Sequence, residues 1–146
     1  DGAMDATILA LAGMKRLGLA DKATAILDTQ HFLPAVGQGA IGIEIRENDD
    51  ATRKCVGGIN HAATLNAVTA ERAFLAVLDG SCKTPIAGHA TLSGDILSFR
   101  GLIAKPDGSA FFKASRSGAA KDASKLGIDA GNELKQRAGS DFFAEH

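Results

Sequence analysis

Apolar and polar positions fall into two kinds of stretch along this chain: helical spacings and strict alternations, divided by glycine- and proline-marked breaks. Residues 5–17 carry Ile8, Leu9, Leu11 and Ala12 ahead of Lys15 and Arg16. That spacing suits a helix, or a strand leading into one, closed near Gly18. Asp21 is placed to cap a second short helix reaching Leu27, with Ala23, Ile26 and Leu27 turned inward. Pro34, Gly37 and Gly39 then fall within six residues, which marks a crossover or hinge. Beyond it Ile41, Ile43 and Ile45 alternate with Gly42, Glu44 and Arg46, predicting a strand with its isoleucines on one face. Asn48-Asp49-Asp50 predicts the cap of a short helix running to about Val56 and ended by Gly57-Gly58.

From Asn60 onward the pattern reads as self-contained. Leu65, Val68, Arg72 and Leu75 recur at helical spacing, and Phe74, Val77 and Leu78 widen the apolar stripe. Arg72 on such a stripe implies burial or a cleft-facing partner, whereas Glu71 faces elsewhere. Three alternating runs at 86–92, 96–104 and 110–117 are separated by Ser93-Gly94-Asp95 and Lys105-Pro106-Asp107-Gly108, both strong turn sequences. A last helix over 119–137 turns Ala123, Leu126, Ala130 and Leu134 inward, with Gly127 and Gly131 each weakening it by about 1 kcal/mol. The predicted class is α+β: a C-terminal domain of a three-stranded antiparallel sheet with helices on one face, preceded by a partial α/β segment.

Composition adds bounds. The 146 residues are 45% hydrophobic and 23% charged, with a net charge of −1. This suffices for one real core and gives no argument for nucleic-acid or membrane affinity. No apolar run approaches the ~20 residues of a membrane helix, and the first residues lack a signal-peptide pattern. Two cysteines, Cys55 and Cys82, lie far apart, and the four histidines are scattered, so no metal site is expected. The simplest expectation is a reduced, cytoplasmic protein.

The chemistry concentrates at Asp79-Gly80-Ser81-Cys82-Lys83-Thr84-Pro85-Ile86, between a predicted helix and a predicted strand. Gly80 and Ser81 leave the Cys82 thiol open to approach, and Lys83 places a cation that favours its thiolate, the reactive form. The plainer reading of Cys82 is a small hydrophobe filling a gap, which is also the reading for Cys55. A cysteine hydrolase would need a histidine partner, and His89 on the following strand is a poor one. Gln38 lies between two glycines, where a ligand can approach backbone closely or where the chain simply turns.

The runs LDGSCKTPI, LPAVGQGAIGIEIR (33–46), VTAERAFL (68–75) and AGMKRLGL (12–19) together resemble porphobilinogen deaminase, the hydroxymethylbilane synthase family. They occur in the family's order and at family-like spacing. The resemblance implies a transferase of tetrapyrrole (heme, porphyrin) biosynthesis that joins four porphobilinogen units with loss of ammonia. It places on Cys82 the thioether attachment of a dipyrromethane cofactor. Arg16, Gln38, Gly39 and Arg72 become cofactor-binding residues, the arginines because a guanidinium binds carboxylate bidentately and stays charged. Many relatives carry a second glycine at the position of Ser81.

Family members are about twice this length and have three domains, so the resemblance implies a C-terminal half. The opening Asp1-Gly2-Ala3-Met4-Asp5-Ala6 likewise reads as the middle of an element. On this reading residues 1–33 end the second family domain. Residues 34–59 form a hinge and a crossover strand-helix belonging to the first, and 60–146 the C-terminal cofactor-anchoring domain. The partners implied are porphobilinogen, the growing polypyrrole and the N-terminal half, which supplies the catalytic aspartate. The 146 residues alone are then expected to be inactive, and residues 41–46, without their sheet, to rearrange, dimerise or swap. The alternative is a non-catalytic small α+β ligand-binding or interaction module, which would carry no covalent adduct on Cys82.

Overall fold

The computed structural model describes residues 2, 4–79, 84–139 and 142. The chain divides into two compact units, Asp1–Phe32 and Leu33–His146. The first contains helix α1 (Leu11–Arg16) and a 3-10 turn, Ala20–Lys22. Helix α1 ends as its sequence predicts. Gly18 adopts φ 69°, Leu19 N–H donates to the Met14 carbonyl and Gly18 N–H to Lys15, the paired bonds of a Schellman cap. The second predicted helix, reaching Leu27, does not form. Asp21 makes no side-chain cap, and Ile26 and Leu27 are exposed, so the short segment has no apolar face to bury.

The second unit is built on a meander of β1 (Ile86–Ser93), β2 (Ile96–Ala104) and β3 (Phe111–Ala119), paired antiparallel in the order β1-β2-β3. Gly94 takes φ 57° at the first position of a two-residue loop, closing the first hairpin tightly. Along β2 the buried residues are Leu97, Phe99, Gly101 and Ile103, and Ala90 of β1 and Ala114 of β3 lie among the same buried cluster. Helices α3 (Ala62–Val77) and α4 (Ala123–Ala138) cover that face. The α+β class, sheet order and turns agree with the sequence expectation.

The glycines of α4 have a packing reason that helix propensity alone does not convey. A Cβ on Gly127 would stand 2.0 Å from the Ala70 carbonyl oxygen, and one on Gly131 2.8 Å from Val77 Cβ. Both positions let α4 approach α3 backbone to backbone. Gly101 does the same on the sheet, leaving room for the Phe74 ring, whose centroid lies 5.0 Å from that of Phe99. At the helix ends, Lys135 Nζ donates to the Val77 carbonyl, satisfying an acceptor that α3 leaves open.

Three expectations in this unit fail. The buried residues of α3 are Ala70, Glu71 and Phe74, followed by Leu78, while Leu65 is 52% exposed and Arg72 is exposed. The inward face is therefore rotated by about one residue from the predicted stripe, because small alanines allow the close approach to α4. Residues 41–46 form no strand: Ile41 is 94% exposed and Ile43 55%. The predicted capped helix does form as α2 (Asp50–Gly57), with Asp49 accepting from Thr52 N–H at 2.9 Å. That bond, then one from the Thr52 hydroxyl and one from the Arg46 guanidinium, hold the Asp49 carboxyl below its ordinary value. Cys55 on α2 is exposed, so it does not fill a packing gap.

Candidate functional site

The two glycines of Gly37-Gln38-Gly39 are each needed by a turn. Gln38 N–H donates to the Ala35 carbonyl and Ala40 N–H to Gly37, making two consecutive turns. Gly37 (φ 69°) and Gly39 (φ 85°) occupy the third position of each, where a side chain would be strained. Gln38 and Gly39 are both exposed, and a Cβ on Gly39 would meet nothing within 4 Å. The backbone here is open to approach.

The base of this double turn is fixed. Gly88 N–H of β1 donates to the Pro34 carbonyl at 3.0 Å, and Val36 packs beside Gly88. Gly37 N–H donates to Glu71 Oε2 at 2.7 Å, and Ala90 N–H of β1 donates to Glu71 Oε1 at 2.8 Å. One carboxylate on α3 thus ties the turn to the sheet's outer edge. Glu71 is the residue that sequence reasoning missed. Its signal was the spacing of Glu71 with Phe74 and Leu78, which places a carboxylate on the apolar face.

Arg72, next along α3, points about 100° away from Glu71. It is exposed and makes no ion pair among the described residues, so the expectation of burial is corrected. Arg16 lies in the first unit, in the last turn of α1, exposed and also without an ion pair among the described residues. Both guanidiniums are free to meet carboxylates. Cys82 and its neighbours Gly80, Ser81 and Lys83 lie outside the described residues. The flanks are placed: Asp79 follows the end of α3 with φ 52°, and Pro85 accepts from Ala104 N–H as the chain enters β1. Among the described residues no cluster of three or more His, Cys, Asp or Glu could hold a metal, and no helix is long and apolar enough to cross a membrane.

Residues 1–54 match the family model described as porphobilinogen deaminase, dipyromethane cofactor binding domain, and residues 65–136 match that of the porphobilinogen deaminase C-terminal domain. The chain belongs to the porphobilinogen deaminase family. Among curated relatives it is 58% identical over 142 residues to the porphobilinogen deaminase of Nitrobacter winogradskyi, covering 97% of this chain and 45% of the relative. The Nitrobacter hamburgensis porphobilinogen deaminase is 56% identical over the same extent. The chloroplastic porphobilinogen deaminase of Pisum sativum is 49% identical over 146 residues, covering 40% of its length. The chain thus spans less than half the length of these relatives. The cofactor-domain match contains Arg16, Gln38 and Gly39, and the C-terminal match contains Arg72 and the position of Cys82.

Proposed function

We propose that the chain is the C-terminal part of a hydroxymethylbilane synthase, which polymerises four porphobilinogen units on a dipyrromethane thioether-linked to Cys82. The observation that carries this is the ordered match of both family domains along the chain, at up to 58% identity. The residues present suit the cofactor's chemistry. Its acetate and propionate groups call for guanidinium partners, and Arg16 and Arg72 are exposed with none of their own among the described residues. Gln38 and Gly39 present an open double turn, where backbone can lie against a ligand.

In this reading the dipyrromethane, when bound, supplies the free pyrrole position at which the product chain grows. Cys82 holds it through one carbon–sulfur bond, and Lys83 favours the thiolate that forms that bond. Arg16 and Arg72 hold carboxylates, and the 34–40 segment positions the turn. The family domains correspond to residues 1–33, 34–59 and 60–146. The N-terminal half of the whole protein is the remaining partner, bringing the acidic group for pyrrole cations and further cationic groups. The 146 residues alone are therefore inactive, since turnover needs these groups preorganised together. The reaction takes place in the cytoplasm.

Intact mass and porphobilinogen consumption of the full-length enzyme test the assignment. Wild type and Cys55→Ala carry the adduct and turn over, whereas Cys82→Ala folds but lacks both. An adduct retained by Cys82→Ala overturns the attachment site, and bilane formation by the 146-residue chain overturns its inactivity.

A further inference from the structure

Glu71 is the one buried charged side chain among the described residues, 6% exposed, and no cation pairs with it there. An isolated carboxylate in a protein interior is costly unless hydrogen bonds replace its hydration. Here each oxygen receives one backbone N–H, from Gly37 at 2.7 Å and from Ala90 at 2.8 Å. The two donors are 53 positions apart (90 − 37), on a turn and on an edge strand. A neutral glutamine could not reproduce this, because its nitrogen would face one of the N–H groups. Beside this bridge the Pro34 carbonyl receives Gly88 N–H, so turn and strand are tied twice, once directly and once through the carboxylate.

We propose that Glu71 is a positioning residue, whose carboxylate holds the Gly37-Gln38-Gly39 turn in register with β1, the strand that follows Cys82 in sequence. The functional part rests on the reading of Gln38 and Gly39 as cofactor-facing. The segment from Pro34 to Gly37 is fixed to β1 and α3 by the bonds just described. Gln38 and Gly39 are exposed just past that fixed base, so their placement follows from where the carboxylate holds it. Among the described residues the Glu71 side chain accepts from Gly37, not from Gln38 or Gly39, and it acts through the Gly37 amide.

The test compares wild type, Glu71→Gln and the shorter Glu71→Asp in the full-length enzyme, by hydrogen exchange resolved to peptides and by steady-state kinetics. In Glu71→Gln, exchange should quicken by about tenfold or more in peptides covering 34–40 and 86–92, the loss of one charge-assisted bond. Peptides of β2 should stay unchanged. The kcat should fall about tenfold with KM for porphobilinogen moving less than about twofold, because the turn orients rather than captures substrate. Glu71→Asp should show the same selective pattern more weakly, and it serves if the glutamine variant does not fold.

Unchanged exchange at 34–40 overturns the clamp. Exchange that rises uniformly through the core shows general destabilisation and overturns it too. Selective exchange with unaltered kcat overturns the positioning role while leaving the clamp. Absence of turnover in wild type removes the proposed function itself, and the exchange result then still decides the clamp.

Discussion

Ile41 and Phe99 stand in the same kind of alternating run, one 94% exposed and the other fully buried. Ile41, Ile43 and Ile45 have a β-branched apolar residue at every second place, a better strand pattern than Leu97, Phe99, Gly101 and Ile103. Yet β2 is the central strand of the meander, and residues 41–46 are not a strand. The difference lies in what each run meets. Strand β2 has a ladder on both sides and α3 and α4 over one face, so alternation becomes burial. Propensity proposes a strand, and neighbouring edges and faces decide it.

The largest effect that sharpens this contrast is loss of a ring against loss of an exposed side chain. Phe99→Ala should lower unfolding free energy by about 3–5 kcal/mol in urea titration. Ile41→Ala should change it by no more than about 0.5 kcal/mol. If Ile41→Ala costs as much as Phe99→Ala, residues 41–46 are packed in solution and the contrast breaks.

Glycine to alanine gives the next comparison. Gly127→Ala adds a Cβ 2.0 Å from a backbone oxygen, so despite about 1 kcal/mol gained in helix propensity it should destabilise by about 1–3 kcal/mol or more. Gly42→Ala, with nothing within 4 Å and no positive φ, should be neutral or stabilise by up to about 1 kcal/mol through the unfolded chain. The same denaturation series reads both, and a stable Gly127→Ala would contradict the close approach of α3 and α4.

The smallest effects appear on acidification. Bonds from Arg116 and then Arg137 lower the carboxyl of Glu133 on α4, and the Thr52 amide chiefly lowers that of Asp49 on α2. A folded value below the unfolded one contributes stability at pH above the unfolded value, lost as pH falls through the folded one. Because Arg116 joins β3 to Asp129 and Glu133 of α4, Glu133→Gln should flatten the acid limb of global stability. Asp49→Ala should leave that limb alone and quicken amide exchange only in α2. Equal effects of the two on the global midpoint would mean that α2 unfolds with the core.

The turns and sheet were legible because their determinants are local: Gly94 and Gly108 at positive φ, and alternation between them. The close of α1 at Gly18 and the Asp49 cap were legible for the same reason. The phase of α3 was not, because its inward face is marked by Ala67 and Ala70, which look neutral, and by Glu71, which looks like surface. Arg72 was consequently placed inward, although it is exposed. In the candidate site, the glycines of 37–39 announced a turn, but nothing local indicated its seat. That seat joins residues 34, 37, 71, 88 and 90, and only the folded chain brings them together.

The lacing of β1 also governs where the chain can be divided. A piece beginning at Asn60 keeps the sheet and both covering helices but lacks Pro34 and Gly37. Gly88 N–H would lose its acceptor, and one oxygen of Glu71 its donor. Such an exposed strand edge is a template for another chain. A soluble C-terminal piece must therefore start upstream of Pro34, and its first residues act as the selvage that keeps the sheet from growing.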